Sequence, residues 1–168
     1  TLFLSKTFEL TTINVSNSTN KNSEIRFKIE SETKEILSSN LIKLDTQTLT
    51  ENLKTRFHEI QTTKINKKYP NTLEIEFKEY PLVANLIHES AQIKKTYIIN
   101  SSGYPVKENL ENPSLPYIKI KSDDPINPKE PAIEITKLRY ILESTTYVRD
   151  KLGLRVIEIE YKKAPREI

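Results

Sequence analysis

Apolar and polar residues alternate without a break from Leu73 to Lys78. Leu73, Ile75 and Phe77 fall on one side, Glu74, Glu76 and Lys78 on the other. A period of two predicts a strand over residues 72–80, in a sheet covered on one face and wet on the other. Upstream the period changes. Leu49, Leu53 and Phe57 recur every four residues, the stripe of a helix. Asp45 is placed to cap its first turn, and Leu44 and Leu49 take the two positions of a hydrophobic staple around that cap. Residues 22–37 admit two readings. Ile25, Phe27 and Ile29 alternate as in a strand, whereas Ile25, Ile29, Thr33, Ile36 and Leu37 share one face of a helix. Length and the abundance of Glu and Lys favour the helix.

A first strand is predicted over 8–15. Ile13 and Val15 share a face while Phe8 and Leu10 are out of phase with them, which implies a bulge or bend. Residues 16–23 are polar and turn-like, and Asn17 tolerates a left-handed backbone. Residues 60–69 read as a polar strand, joined by Pro70-Asn71 to the alternating one. The predicted order up to Tyr80 is strand, helix, helix, strand, strand.

Pro81 marks a boundary. Beyond it, 82–88 and 95–100 read as strands, and Ser101-Ser102-Gly103 turns the chain into Tyr104-Pro105-Val106 as a hairpin. Residues 117–121 form a short strand between two loops, 109–116 and the Pro- and Asp-rich 122–131. A long helix is predicted over 132–152, with Leu138, Ile141, Leu142, Thr145, Val148 and Leu152 as its buried stripe. Glu130 and Glu134 at its start and Arg149 and Lys151 at its end complement the helix dipole, and Gly153 supplies the left-handed stop. A last strand follows over 155–161, with Ile157, Ile159 and Tyr161 on one face. The fold class is α+β: one β-α-α-β-β unit, then a β-rich region with one long helix.

Composition narrows the function. With 36% hydrophobic residues in 168 the chain affords one large domain or two small ones. The net charge is only +3 and lysines alternate with glutamates, so the concentrated basic face that nucleic acid requires is missing. No cysteine is present, which excludes disulfides, zinc ribbons and thiol chemistry. No methionine is present either, so Thr1 is read as something other than a natural start. No stretch reaches the roughly 18 apolar residues of a bilayer span. Thr1-Leu2-Phe3-Leu4 reads either as the outer end of an anchor or as an ordinary apolar run.

No constellation of side chains points to catalysis. His58 and His88 are the only histidines and lack partners at metal-ligand spacing, so both read as surface or structural residues. Asp123-Asp124 precedes Pro125 and reads as a solvated turn. Glu74 and Glu76 lie on the wet side of their strand. With two glycines in the chain there is no phosphate-cradling loop. No cofactor or metal is expected.

The segment Ile60-Gln61-Thr62-Thr63-Lys64-Ile65-Asn66-Lys67-Lys68-Tyr69-Pro70-Asn71-Thr72-Leu73-Glu74-Ile75 resembles a POTRA domain of the FtsQ/DivIB cell-division proteins: spaced aliphatics, a basic run, an aromatic-Pro pair, then Leu-x-Ile. Glu79-Tyr80-Pro81-Leu82-Val83-Ala84 resembles that family's exit motif, and Ile13-Asn14-Val15-Ser16-Asn17 its opening strand and turn, where a Gly is usual at Ser16 or Asn17. Tyr97-Ile98-Ile99-Asn100-Ser101-Ser102-Gly103-Tyr104-Pro105-Val106 resembles the hairpin opening the family's second domain.

The resemblance implies a juxtamembrane remnant at 1–6, a POTRA domain at 7–80, and an FtsQ/DivIB-like β-domain at 81–168 that stops short of its last strands. It further implies a single-pass protein of the cell membrane, anchored by a helix outside this chain, with this region on the extracytoplasmic side. Its role would be a non-enzymatic scaffold of the divisome, its partners FtsL-like and FtsB-like proteins and the septal peptidoglycan synthase. A POTRA docking or chaperone arm of an outer-membrane assembly or secretion protein is the alternative.

The polar strand at 60–69 is the candidate docking edge, because an edge strand has free N–H and C=O groups to which a partner strand adds. By resemblance Thr62 and Ile65 stand at partner-binding positions, and Thr62 is expected to turn its N–H outward. The other reading of Lys64, Lys67 and Lys68 is protection of that edge from indiscriminate pairing.

Overall fold

The computed structural model describes residues 6–19 and 23–162. The apolar run at 1–4, residues 20–22 of the predicted turn and helix start, and residues 163–168 lie outside the described residues. The chain forms two compact units that divide between Glu79 and Tyr80.

In the first unit three strands, β1 (Thr12–Asn17), β2 (Ile60–Lys68) and β3 (Thr72–Glu79), make one sheet in the order β1-β3-β2. β1 runs parallel to β3 and β2 antiparallel to it. Helices α1 (Glu24–Thr33), extended by a 3-10 turn at Lys34–Ile36, and α2 (Thr46–Arg56) intervene between β1 and β2. The helical reading of the ambiguous segment holds: Ile25, Ile29 and Thr33 are its buried residues, while Phe27, which only the strand pattern required inside, is 56% exposed. Leu73, Ile75 and Phe77 are buried with Leu53 and Phe57 in one core, against which Leu44 and Leu49 also pack.

Two local readings are corrected. The first strand begins at Thr12 and not at Phe8, and Lys6–Phe8 is a 3-10 turn. Leu10 is out of phase because it is not in the sheet: its N–H donates to the Ser39 carbonyl (2.8 Å) and its carbonyl accepts from the Ser38 N–H (2.9 Å). Asn17 belongs to β1 and is buried. It shapes the turn through its side chain, whose Oδ1 accepts from the Thr19 N–H at 2.9 Å and the Thr19 hydroxyl at 2.8 Å. Its Nδ2 donates to the Glu79 carboxylate at 2.7 Å. The Ser23 hydroxyl donates to the same carboxylate oxygen and accepts from the Ile25 N–H, capping α1. Glu79 thereby ties the end of β3 to the end of β1 and the start of α1.

In the second unit five strands, β4 (Leu82–Glu89), β5 (Lys94–Asn100), β6 (Pro105–Glu108), β7 (Tyr117–Lys121) and β8 (Glu158–Tyr161), lie in the order β6-β5-β4-β7-β8. Helix α3 (Ile135–Leu152) packs Leu138, Ile141 and Leu142 into the core formed with Ala84, Leu86, Tyr97, Ile99, Ile118, Ile120 and Ile133. Of its predicted stripe only Leu138 is buried; Ile141, Leu142, Thr145 and Val148 are half-buried. Leu152 is 63% exposed, and Ile157, ahead of a last strand shorter than predicted, is 70% exposed. The periodicity is that of a buried face, but among the described residues nothing covers Leu152 in the last turn of the helix. Gly153 ends α3 with a left-handed backbone, φ +66°.

Gly103 closes the β5–β6 hairpin with φ +86°, and a Cβ there would collide with the Ile133 carbonyl oxygen. The Gly103 carbonyl accepts from the Ala132 N–H at 2.9 Å, so the turn is laid directly on the segment that leads into α3.

Two substitutions test these cores. Ile75→Ala is expected to destabilise the first unit by about 2–5 kcal/mol, read from the denaturant midpoint; a loss below that range would contradict the buried face of β3. Gly103→Ala combines strain with a clash against backbone and is expected to cost the second unit at least about 2 kcal/mol. A midpoint unchanged from the parent would show that the turn is not held as described.

Candidate functional site

β3 is bonded on both sides, and the direction of its backbone groups decides which groups of β2 are free. The carbonyls of Asn71 and Phe77 accept from the N–H groups of Thr12 (3.3 Å) and Ser18 (2.9 Å). The odd-numbered residues along β3 therefore turn their backbone groups toward β1, and the even-numbered ones toward β2. In an antiparallel pair, directly opposed residues alternate between those that exchange both hydrogen bonds and those that exchange none. The register pairs Thr62 with Lys78, Lys64 with Glu76, Asn66 with Glu74 and Lys68 with Thr72, so these four pairs carry the ladder. Thr63, Ile65 and Lys67 turn their N–H and C=O groups away from the sheet. β2 is an edge strand, and among the described residues these three are its free positions.

The expectation that Thr62 has the outward N–H is thus corrected: its backbone is bonded into the ladder. A register irregularity between Ile60 and Thr62 shifts the parity by one residue relative to the buried anchor Ile60, and nothing in the residue types announces that bulge.

Side chains divide the same way. Thr62, Lys64 and Lys68 are exposed on the open face. Ile65 is half-buried on the helix-covered face, packed against the core. Thr62 and Ile65 therefore belong to one edge but to opposite faces of it. Lys67 shares the covered face, and its ammonium donates to the Ile42 carbonyl at 2.9 Å. Lys68 lies 3.7 Å from Glu74. Lys64 stands opposite Glu76 in register, and no ion pair joins it to a described residue. Gln61 Oε1 and Thr63 Oγ1 are buried and find no hydrogen-bond partner among the described residues. Sequence reasoning missed both, because a Gln and a Thr in a polar strand look like ordinary surface residues.

The other concave features offer less. A groove of about 470 Å³ runs between the α1 end and α2, floored by Ile36, Leu49 and Leu53 and rimmed by Glu32, Glu35 and Arg56. The Arg56 guanidinium pairs with Glu32 across it. The His88 ring, buried beside β7, lies 2.8 Å through Nε2 from the Ser122 carbonyl, a structural contact. The Asp124 N–H donates to the Ser122 hydroxyl at 3.1 Å, which makes this stretch a hydrogen-bonded turn. No three His, Cys, Asp or Glu side chains converge on a possible metal position among the described residues. In the second unit the Lys119 ammonium holds the Glu89 carboxyl below the usual glutamate range by a 2.5 Å hydrogen bond on the sheet, a half-buried ion pair whose Glu89 also lines an open hollow of about 360 Å³ with Ser90, Lys121 and Asp123.

A mixed sheet in the order β1-β3-β2, built from strand, helix, helix, strand and strand, defines the first unit as a POTRA domain. The family model for the POTRA domain of FtsQ type matches residues 8–80, so the chain carries an FtsQ/DivIB-type POTRA domain. No curated protein matches the chain. Domains of this type are non-enzymatic scaffold domains, and the match indicates a role related to cell division. No described helix is long and apolar enough to cross a membrane.

Amide hydrogen exchange checks the assignment of the edge. Within β2 the amides of Thr63, Ile65 and Lys67 should exchange on the order of a hundredfold faster than those of Thr62, Lys64 and Asn66, because only the latter are held in the ladder. Uniform protection along β2 would mean that the edge is already covered.

Proposed function

We propose that this protein is an extracytoplasmic scaffold of the bacterial divisome. It is held at the cell membrane by a single span outside this chain. It brings FtsL-like and FtsB-like proteins together with the septal peptidoglycan synthesis machinery. The observation that carries this reading is the FtsQ-type POTRA domain at residues 8–80 with a free edge at β2. A scaffold works by presenting surfaces, and an unpaired strand edge is the surface on which backbone hydrogen bonds supply affinity and alternate side chains supply selectivity. The sequence points to no catalytic constellation, which agrees with a binding role. The second unit, by its hairpin at Gly103 and its long helix, is read as the family's β-domain. The FtsQ type of the POTRA match favours division over a docking arm of outer-membrane assembly.

Neighbouring prolines on β2 separate folding from docking. Thr63→Pro removes an outward N–H, which an edge strand tolerates, and should leave the melting temperature nearly unchanged. In cells it should abolish septal recruitment of a fluorescently tagged division partner. Thr62→Pro removes a ladder bond and should destabilise the domain by about 1–3 kcal/mol. Normal recruitment by a folded Thr63→Pro protein would refute docking at β2.

A further inference from the structure

We infer that the β2 edge selects an acidic strand, one whose central residues read aliphatic, then Glu or Asp, then Ser or Thr. This rests on the reading of β2 as a docking edge and concerns what the edge accepts.

The backbone comes first. Thr63, Ile65 and Lys67 are free over two strand repeats, a span of roughly 13 Å, enough to pair with a guest of about five residues. An antiparallel guest is the better hydrogen-bonded arrangement. Its residues opposite Thr63, Ile65 and Lys67 exchange hydrogen bonds with them and point to the helix-covered face. Its residues opposite Lys64 and Asn66 point to the open face.

Each position then meets a definite surface. Opposite Ile65, which is half-buried at the margin of the core, an aliphatic side chain completes the cover. Opposite Lys64, exposed and without an ion pair to a described residue, a carboxylate supplies one. Opposite Thr63, the guest side chain stands beside a residue whose Oγ1 is buried without a partner among the described residues. A guest hydroxyl can supply that partner, whereas an aliphatic group leaves it unsatisfied.

Charge also says what the edge refuses. β2 has Lys64, Lys67 and Lys68 and no acidic residue. Glu74 and Glu76 on β3 compensate in part, Glu74 through its 3.7 Å approach to Lys68. A second copy of β2 laid antiparallel on the first would set these lysines near one another, and like charges across a strand pair oppose pairing. The lysines thus protect the edge against its own kind and attract an acidic guest by the same field.

The probe is a fluorescein-labelled dodecapeptide centred on Val-Glu-Thr, titrated by anisotropy against the full chain at low salt, beside versions centred on Val-Lys-Thr and Val-Glu-Val. The Glu peptide should bind at least tenfold more tightly than the Lys peptide, with the gap narrowing as salt rises. It should bind severalfold more tightly than the Val-Glu-Val peptide and shift the Thr63, Ile65 and Lys67 amide resonances. Lys64→Glu should reverse the preference between Glu and Lys peptides; Lys64→Gln should reduce it, and serves if the first variant does not fold. Equal affinity for Glu and Lys peptides, with binding lost in Thr63→Pro, would overturn the acidic selectivity and leave the docking edge standing. The selectivity falls in the same way if no peptide binds but Thr63→Pro still loses its partner in cells. No binding together with normal recruitment by Thr63→Pro would overturn both.

Discussion

The central strand β3 is the element on which the first unit depends. Its backbone is saturated on both sides, by β1 through the odd-numbered residues and by β2 through the even-numbered ones. Its odd side chains, Leu73, Ile75 and Phe77, are fully buried in the core. One strand thus sets the helix-covered face and the parity of both neighbours. Because β3 uses the even positions of β2, the odd ones remain, and the free positions of the edge follow from the centre of the sheet outward.

The ends of that sheet are secured by polar contacts, because hydrophobic burial is non-directional and cannot place a chain end. Glu79 accepts from Asn17 and Ser23, joining β3, β1 and the cap of α1 at the last residue of the unit. In the second unit Gly103 serves a comparable purpose without a side chain. Its left-handed backbone and lack of a Cβ let the hairpin lie on the Ile133 carbonyl and bond to Ala132. Both contacts hold one segment against another distant in sequence.

The proposed function is a matter of surfaces. The buried histidine is engaged with a backbone carbonyl, and the ion pairs Lys95–Glu108 and Lys121–Glu160 are exposed. The lysines of β2 serve two ends that are physically one: a positive edge repels a second copy of itself and attracts a strand of opposite charge. Protection and selectivity are therefore not rival accounts of Lys64, Lys67 and Lys68.

Periodicity and caps determined the elements of this protein: the two helices with Asp45 and the stripe of Leu49, Leu53 and Phe57, the alternation from Leu73 to Phe77, the hairpin at Gly103 and the stop at Gly153. These are local properties, written in residues a few places apart. They also made the polar strand at Ile60 to Lys68 legible as a candidate edge, and the resemblance legible as a POTRA domain. What the local pattern could not contain is the relation between strands. The bulge near Gln61 shifts the free N–H groups from Thr62 to Thr63, Ile65 and Lys67, and such a shift exists only once β2 meets β3. Whether Leu152 and Ile157 are covered likewise depends on where the sheet ends. The burial of Gln61 Oε1 and Thr63 Oγ1 without a hydrogen-bond partner among the described residues is likewise set by packing between segments distant in sequence, so tertiary structure alone decided it.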